Sequence, residues 1–170
     1  MRFAEEYENS AESKEELMEK FIDFLELIRQ EQRECTNKIG RIGSRLIGNG
    51  DKVGTFSTSG SVMKILENAV EGCQTGAEGY RTLDEVSAQG IPVKFGCDAL
   101  LCKLIPGSNV FFIGADAISS TGEVYAKTGS YLAALACREF GIPFYVAADT
   151  SKFDSMSLLG FPIKDSYRPA

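Results

Sequence analysis

Asp116 follows an apolar run, Val110-Phe111-Phe112-Ile113, that is broken by Gly114-Ala115. A strand that ends this way carries a carboxylate just past its carboxyl edge, and open parallel sheets bind their ligands in the crevice beyond that edge. There Asp116 can act as an acid/base with its pKa raised by burial, hold the hydroxyls of a ligand, or cap the loop before Ser119. The pattern alone leaves these three readings open. A second group is Ser57-Thr58-Ser59-Gly60-Ser61, between the short strand pattern Lys52–Phe56 and a helical one beginning at Val62. Exposed N–H groups and the positive end of a helix dipole converge in such a turn, which suits an anion, although serines and threonines also cap helices with no ligand. Lys127 and Lys152 could add positive charge beside an anionic ligand; solvated surface is the default for both. Asp98 and Asp154 also end or follow strand patterns and are weaker candidates than Asp116.

The elements that must position these residues alternate. Ser13-Lys14-Glu15-Glu16 reads as a capping box, and Leu17, Phe21, Phe24, Leu25 and Ile28 follow at helical spacing. The stripe lapses from Gln30 to Lys38 and resumes at Ile39, Ile42, Leu46 and Ile47. One long helix with a bend near Gly40 and Gly43 accounts for it, and Gly48-Asn49-Gly50-Asp51 ends it. Its apolar stripe packs on its own sheet, serves a partner, or does both. Strands are expected near residues 52–57, 91–96, 109–114 and 143–148, all in one parallel sheet with helices on both faces. Thr82 caps a short helix ending at Gly90, Ala99–Leu104 forms a helical turn or two, and a longer helix runs from Glu123 to Phe140, with Lys127 one turn inside it. The expected fold is α/β, a Rossmann-like doubly wound and mainly parallel sheet with an N-terminal helical arm. Residues 1–12 form a frayed terminus, 13–50 the arm and 51–170 the Rossmann-like domain.

Composition narrows the chemistry. The 170 residues are the size of one domain, and 44% hydrophobic with 25% charged content suffices for a core. A net charge of −6 argues against nucleic acid as a partner. With no histidine, neither a His-based general base nor a histidine-ligated metal site can form, and no metal is expected. The five cysteines are irregularly spaced without a CxxC, and Cys97 and Cys137 sit in apolar contexts that suggest buried, inert thiols. No signal peptide and no apolar run near the ~20 residues of a membrane span is present, so the expected location is the cytoplasm.

Gly114-Ala115-Asp116, Thr121-Gly122-Glu123-Val124, Lys127-Thr128-Gly129-Ser130-Tyr131 and Gly141-Ile142-Pro143-Phe144-Tyr145-Val146-Ala147-Ala148 occur in this order. Together they resemble the C-terminal signature of the superfamily that joins the regulatory subunits of translation initiation factor 2B, methylthioribose-1-phosphate isomerase and archaeal ribose-1,5-bisphosphate isomerase. The resemblance runs from about Glu15 to Asp154. It implies a domain that dimerises and holds a phosphorylated sugar at its strand carboxyl edge, with no cofactor. In the isomerases of the superfamily a cysteine and the aspartate of the Gly-Ala-Asp motif move protons between C1 and C2 of an aldose phosphate. Asp116 matches that aspartate, and Ser57 falls where the cysteine would be. A hydroxyl titrates far above a thiol and, without a base beside it, cannot replace a thiolate at neutral pH. Ala126 replaces an asparagine that helps hold the ligand. The segment Gly72–Tyr80 is too short for the Glu-Thr/Ser-Arg-Pro strand, and most of the N-terminal helical domain has no counterpart.

The resemblance therefore implies a shortened, catalytically degenerate homologue. It would bind a phosphorylated sugar or nucleotide through Thr58, Ser59, Gly60, Ser61, Lys127 and Lys152, form a homodimer, and have other initiation factor subunits as further partners. The alternative is an active aldose–ketose isomerase, an intramolecular oxidoreductase, using Asp116 with Ser57. A third reading is an interaction domain with an empty pocket.

Overall fold

The computed structural model describes residues 14–69 and 93–163. Strand β1 (Val53–Thr55) is followed by helix α2 (Gly60–Ala69), and helix α1 (Lys14–Ser44) precedes both. Past residue 92 come a 3-10 turn (Asp98–Leu100), the single turn α3 (Leu101–Leu104) and another 3-10 turn (Ile105–Gly107). They lead into β2 (Val110–Gly114), the short strands β3 (Ala117–Ile118) and β4 (Val124–Tyr125), helix α4 (Ser130–Phe140) and β5 (Phe144–Ala147). Two further 3-10 segments, Thr150–Lys152 and Ser155–Leu159, close the described chain.

By packing, the chain divides into two units, Met1–Cys35 and Thr36–Ala170. In its described part the first is the N-terminal stretch of α1, whose apolar residues are largely exposed. The second holds the sheet. Its strands lie in the order β1-β2-β5, all parallel, with Val53 opposite Val110 and Phe111 opposite Phe144.

Strand β2 is buried along Val110–Ile113, and its two faces build two cores. Phe111 and Ile113 pack with Ala133, Ala136 and Cys137 of α4 and with Ile105. Val110 and Phe112 point the other way, onto Val62 and Ile65 of α2, with Ile39 and Ile47 alongside. A continuous apolar run is what a strand buried on both faces requires, and period-two alternation sends its side chains to opposite layers. The doubly wound arrangement follows from this one strand.

Three expectations require correction. The helix expected from Glu123 begins only at Ser130. Before it, β3 and β4 pair as an antiparallel hairpin, with Ala117 opposite Tyr125. Two left-handed glycines decide this: Gly122 turns the hairpin at φ +85° and Gly129 precedes α4 at φ +102°, so a helix cannot run through either. Val93–Cys97 forms no strand, and Ile91–Pro92 lies outside the described residues, as do Ser13, the short helix at Thr82 and the segment Gly72–Tyr80. Cys97 is exposed, whereas Cys137 is buried as expected.

Helix α1 is one continuous helix through Gly40 and Gly43, as expected, and ends at Ser44. The two glycines let α2 approach closely: a Cβ on Gly43 would strike Ile65, and one on Gly40 would strike Lys64 and Asn68. No described helix is long and apolar enough to cross a membrane.

Candidate functional site

All three strands of the sheet are parallel, so the residues after β1, β2 and β5 leave from one edge. After β1, Phe56 is half-buried and Ser57 is exposed with φ +63°, the one non-glycine residue among those described with a left-handed backbone. A non-glycine residue in this conformation costs of order 1–3 kcal/mol and recurs where a backbone is held for function. The left-handed turn swings the chain from β1 into α2. Ser59 caps that helix, its Oγ accepting from the Val62 N–H at 3.5 Å and its carbonyl from the Met63 N–H at 2.9 Å. No acidic side chain occupies the first turn of α2, so the positive end of its dipole is not neutralised from within.

Packing joins the loops. A Cβ placed on Gly114, at the end of β2, would collide with Ser59 Cβ and Oγ. The start of α2 is therefore seated against the end of β2, and glycine is what allows the approach. A Cβ on Gly129 would lie 2.5 Å from Phe56 Cζ, so the segment carrying Lys127 meets the end of β1. Asp116 is exposed and is fixed through its backbone, donating to the Tyr125 carbonyl at 2.8 Å.

The hairpin tip is locked by Ser119. Its buried Oγ accepts from the Glu123 N–H at 3.0 Å and lies 2.7 Å from Thr121 Oγ1. The chain after β5 is tied to the same hairpin: Asp154 N–H donates to the Ile118 carbonyl at 2.9 Å, and Ser120 N–H to Ser157 Oγ at 2.8 Å. This brings the half-buried Lys152 to the hairpin's side of the edge.

The expected residues thus fall into two groups. Ser57, Thr58, Ser59, Asp116 and Lys127 lie on segments that touch one another at the carboxyl edge, with Gly60 and Ser61 opening α2 beside them. A Cβ on Gly60 would meet nothing within 4 Å, so the space beside it is open. Lys152 shares the edge on the β5 side. Asp116, Lys127 and Lys152 form no salt bridge with one another. Asp154 has a structural task, its carboxylate accepting from the Met156 N–H at 2.9 Å to cap the last 3-10 segment. Asp98 lies in the 3-10 turn ahead of β2 and leaves the carboxyl-edge group altogether. Lys127 precedes the cap of α4 and does not lie within the helix.

Sequence reasoning missed the Ser119 lock and the seating of Phe56 on Gly129. The Ser-x-Thr-Gly spacing was the signal for the first; nothing local signals the second. Burial pushes the Cys137 thiol from 9.0 up to about 11, consistent with an inert core residue. Cys35 lies in α1, and Cys97 and Cys102 lie on the segment leading to the amino end of β2, so no described cysteine joins the site. Among the described residues, no group of three or more Cys, Asp and Glu is placed to hold a metal ion.

Residues 1–168 match the Initiation factor 2 subunit family. The chain belongs to that family. Among its relatives is a translation initiation factor eIF-2B subunit 2-like protein of Pyrococcus horikoshii, 35% identical over 139 residues, which cover 76% of this chain and 50% of the relative. A methylthioribose-1-phosphate isomerase of Oleidesulfovibrio alaskensis is 32% identical over 176 residues, covering 91% of this chain and 50% of the enzyme. The crystal structure of the Pyrococcus horikoshii OT3 translation initiation factor eIF-2B superposes with a TM-score of 0.67 at 35% identity, over 76% of this chain and 50% of that one. This family member spans about half the length of the curated relatives it matches. Its relatives carry both initiation factor and isomerase names, so family membership fixes the fold and does not choose between the two activities.

Proposed function

We propose that this member of the initiation factor 2 subunit family binds a phosphorylated sugar or nucleotide at the strand carboxyl edge without isomerising it. The observation that carries the reading is Ser57. It lies two residues past β1, where the family resemblance puts the isomerases' cysteine, and no described cysteine stands in for it. Aldose–ketose isomerisation needs one group to take a proton from C2 and another to serve the oxygens. A serine hydroxyl with no histidine anywhere in the chain has no base of that kind.

Binding needs less. The start of α2 offers N–H groups and a dipole to a phosphate, Lys127 and Lys152 add charge, and Asp116 is open to accept from sugar hydroxyls. The ligand's phosphate would sit over Thr58–Ser61 and its hydroxyls toward Asp116. The same reading includes a homodimer through the C-terminal half, where Tyr131, Leu132, Phe140 and Tyr145 expose apolar surface, and association with other initiation factor subunits in the cytoplasm.

Calorimetric titration against pentose phosphates and nucleotides tests the binding. A saturable phosphate ester, weakened about tenfold or more by Lys127→Ala or Asp116→Asn, is expected. A panel that gives no heat, or binding indifferent to both substitutions, would remove the reading. The isomerase reading stays the second one because a methylthioribose-1-phosphate isomerase aligns over 91% of the chain.

A further inference from the structure

The N-terminal stretch of α1 presents an apolar seam to solvent. Leu17, Met18, Phe21, Phe24 and Leu25 keep between 37% and 54% of their surface open on a continuous helix. Leu17, Phe21, Phe24 and Ile28 recur at alternating steps of four and three, the spacing of a coiled-coil seam. Continued by one step at each end, the seam carries Lys14 and Glu31. Read from either end it has the same order: a charge, an aliphatic residue, two phenylalanines, an aliphatic residue and the opposite charge.

That order is what a two-fold antiparallel pair requires. In an isologous contact residue i meets residue j while j meets i. Setting Phe21 against Phe24 of a second copy then sets Leu17 against Ile28, and Lys14 against Glu31, in every layer twice. A parallel pair would instead oppose Lys14 to Lys14 and Glu31 to Glu31, like charges at both ends of a short seam. Met18 and Leu25, one position past Leu17 and Phe24, flank the seam on one side and oppose one another across the antiparallel pair, widening the apolar strip.

We propose that a second copy of this chain covers the seam, the two α1 helices pairing antiparallel about an axis between Phe21 and Phe24, with Lys14–Glu31 ion pairs closing both ends. This surface is separate from the C-terminal half and independent of any ligand at the strand edge.

The test uses the full chain. Isotopically labelled and unlabelled protein are mixed, treated with a zero-length carboxyl–amine cross-linker, and digested for mass spectrometry. On one helix Lys14 and Glu31 are about 25 Å apart at 1.5 Å per residue, beyond such a reagent. A Lys14–Glu31 link joining a labelled to an unlabelled peptide is therefore intermolecular and antiparallel, and it is the expected product. Lys14→Glu should weaken self-association in sedimentation about tenfold, and adding Glu31→Lys should recover it to within about threefold. If no mixed-label Lys14–Glu31 link forms, or if the doubly substituted chain associates no better than Lys14→Glu alone, the pairing is wrong.

Discussion

Strand β2 and the loop that leaves it differ sharply across two residues. Val110–Ile113 is buried on both faces, while Asp116 is open to solvent. The strand's position is set by packing on α2 and α4, which a side chain cannot leave without opening a cavity. The loop is held through its backbone, by Asp116 N–H on Tyr125 and Gly114 against Ser59, so its side chains stay available. A rigid strand with a polar tip separates the stability of the domain from its chemistry. Substitutions in the strand should therefore cost folding, and substitutions at the tip should cost binding.

The largest expected effect is Phe112→Ala, which empties the centre of one core and should destabilise by about 3–5 kcal/mol in urea denaturation. A loss under about 1 kcal/mol would mean that β2 is not the packed centre. Next, Gly129→Ala must adopt φ +102° and displace the Phe56 ring, so a loss of about 1–3 kcal/mol is expected together with weakened ligand binding. This one position couples the two regions. Unchanged binding in a folded Gly129→Ala protein would break the link between the Lys127 segment and β1.

The Cys137 thiol sharpens the buried side. Its folded pKa of about 11 lies above its ordinary 9.0, so between these values the unfolded chain has released a proton that the folded one retains. The thiol's contribution is unchanged below about pH 9 and lowers stability as pH rises toward 11, by up to about 2 kcal/mol. Cys137→Ala should flatten that slope whatever its effect at pH 7. The smallest expected effect on stability is Asp116→Asn, within about 0.5 kcal/mol of wild type, because the exposed carboxylate makes no contact that the fold needs.

The parts of the fold legible in sequence were those written as local pattern. The apolar run of β2, the long α1 stripe and the turn at Ser57–Ser61 each announce themselves within a few residues. The hairpin did not, because Val124, Ala126 and the residues after Ser130 also satisfy a helical spacing. Only the left-handed backbone at Gly122 and Gly129 separates hairpin from helix, and a glycine does not declare its φ. The stretch at 91–96 reads as a strand from its composition, but a strand is made by its neighbour, and the described part of it, from Val93, joins neither sheet. Of the site, the residue types were legible and their meeting was not. Ser59 reaches Gly114, and Phe56 reaches Gly129, across more than 50 positions of sequence.

Turnover by the wild-type protein tests the central claim most directly. With Ser57 in place of a thiol, isomerisation of ribose-1,5-bisphosphate or methylthioribose-1-phosphate should be absent or slowed by about 10²–10⁴-fold, and Ser57→Cys should return little because Ala126 remains. Conversion of either substrate at about 1 s⁻¹ or faster, abolished by Asp116→Asn, would contradict the account and make this chain an isomerase.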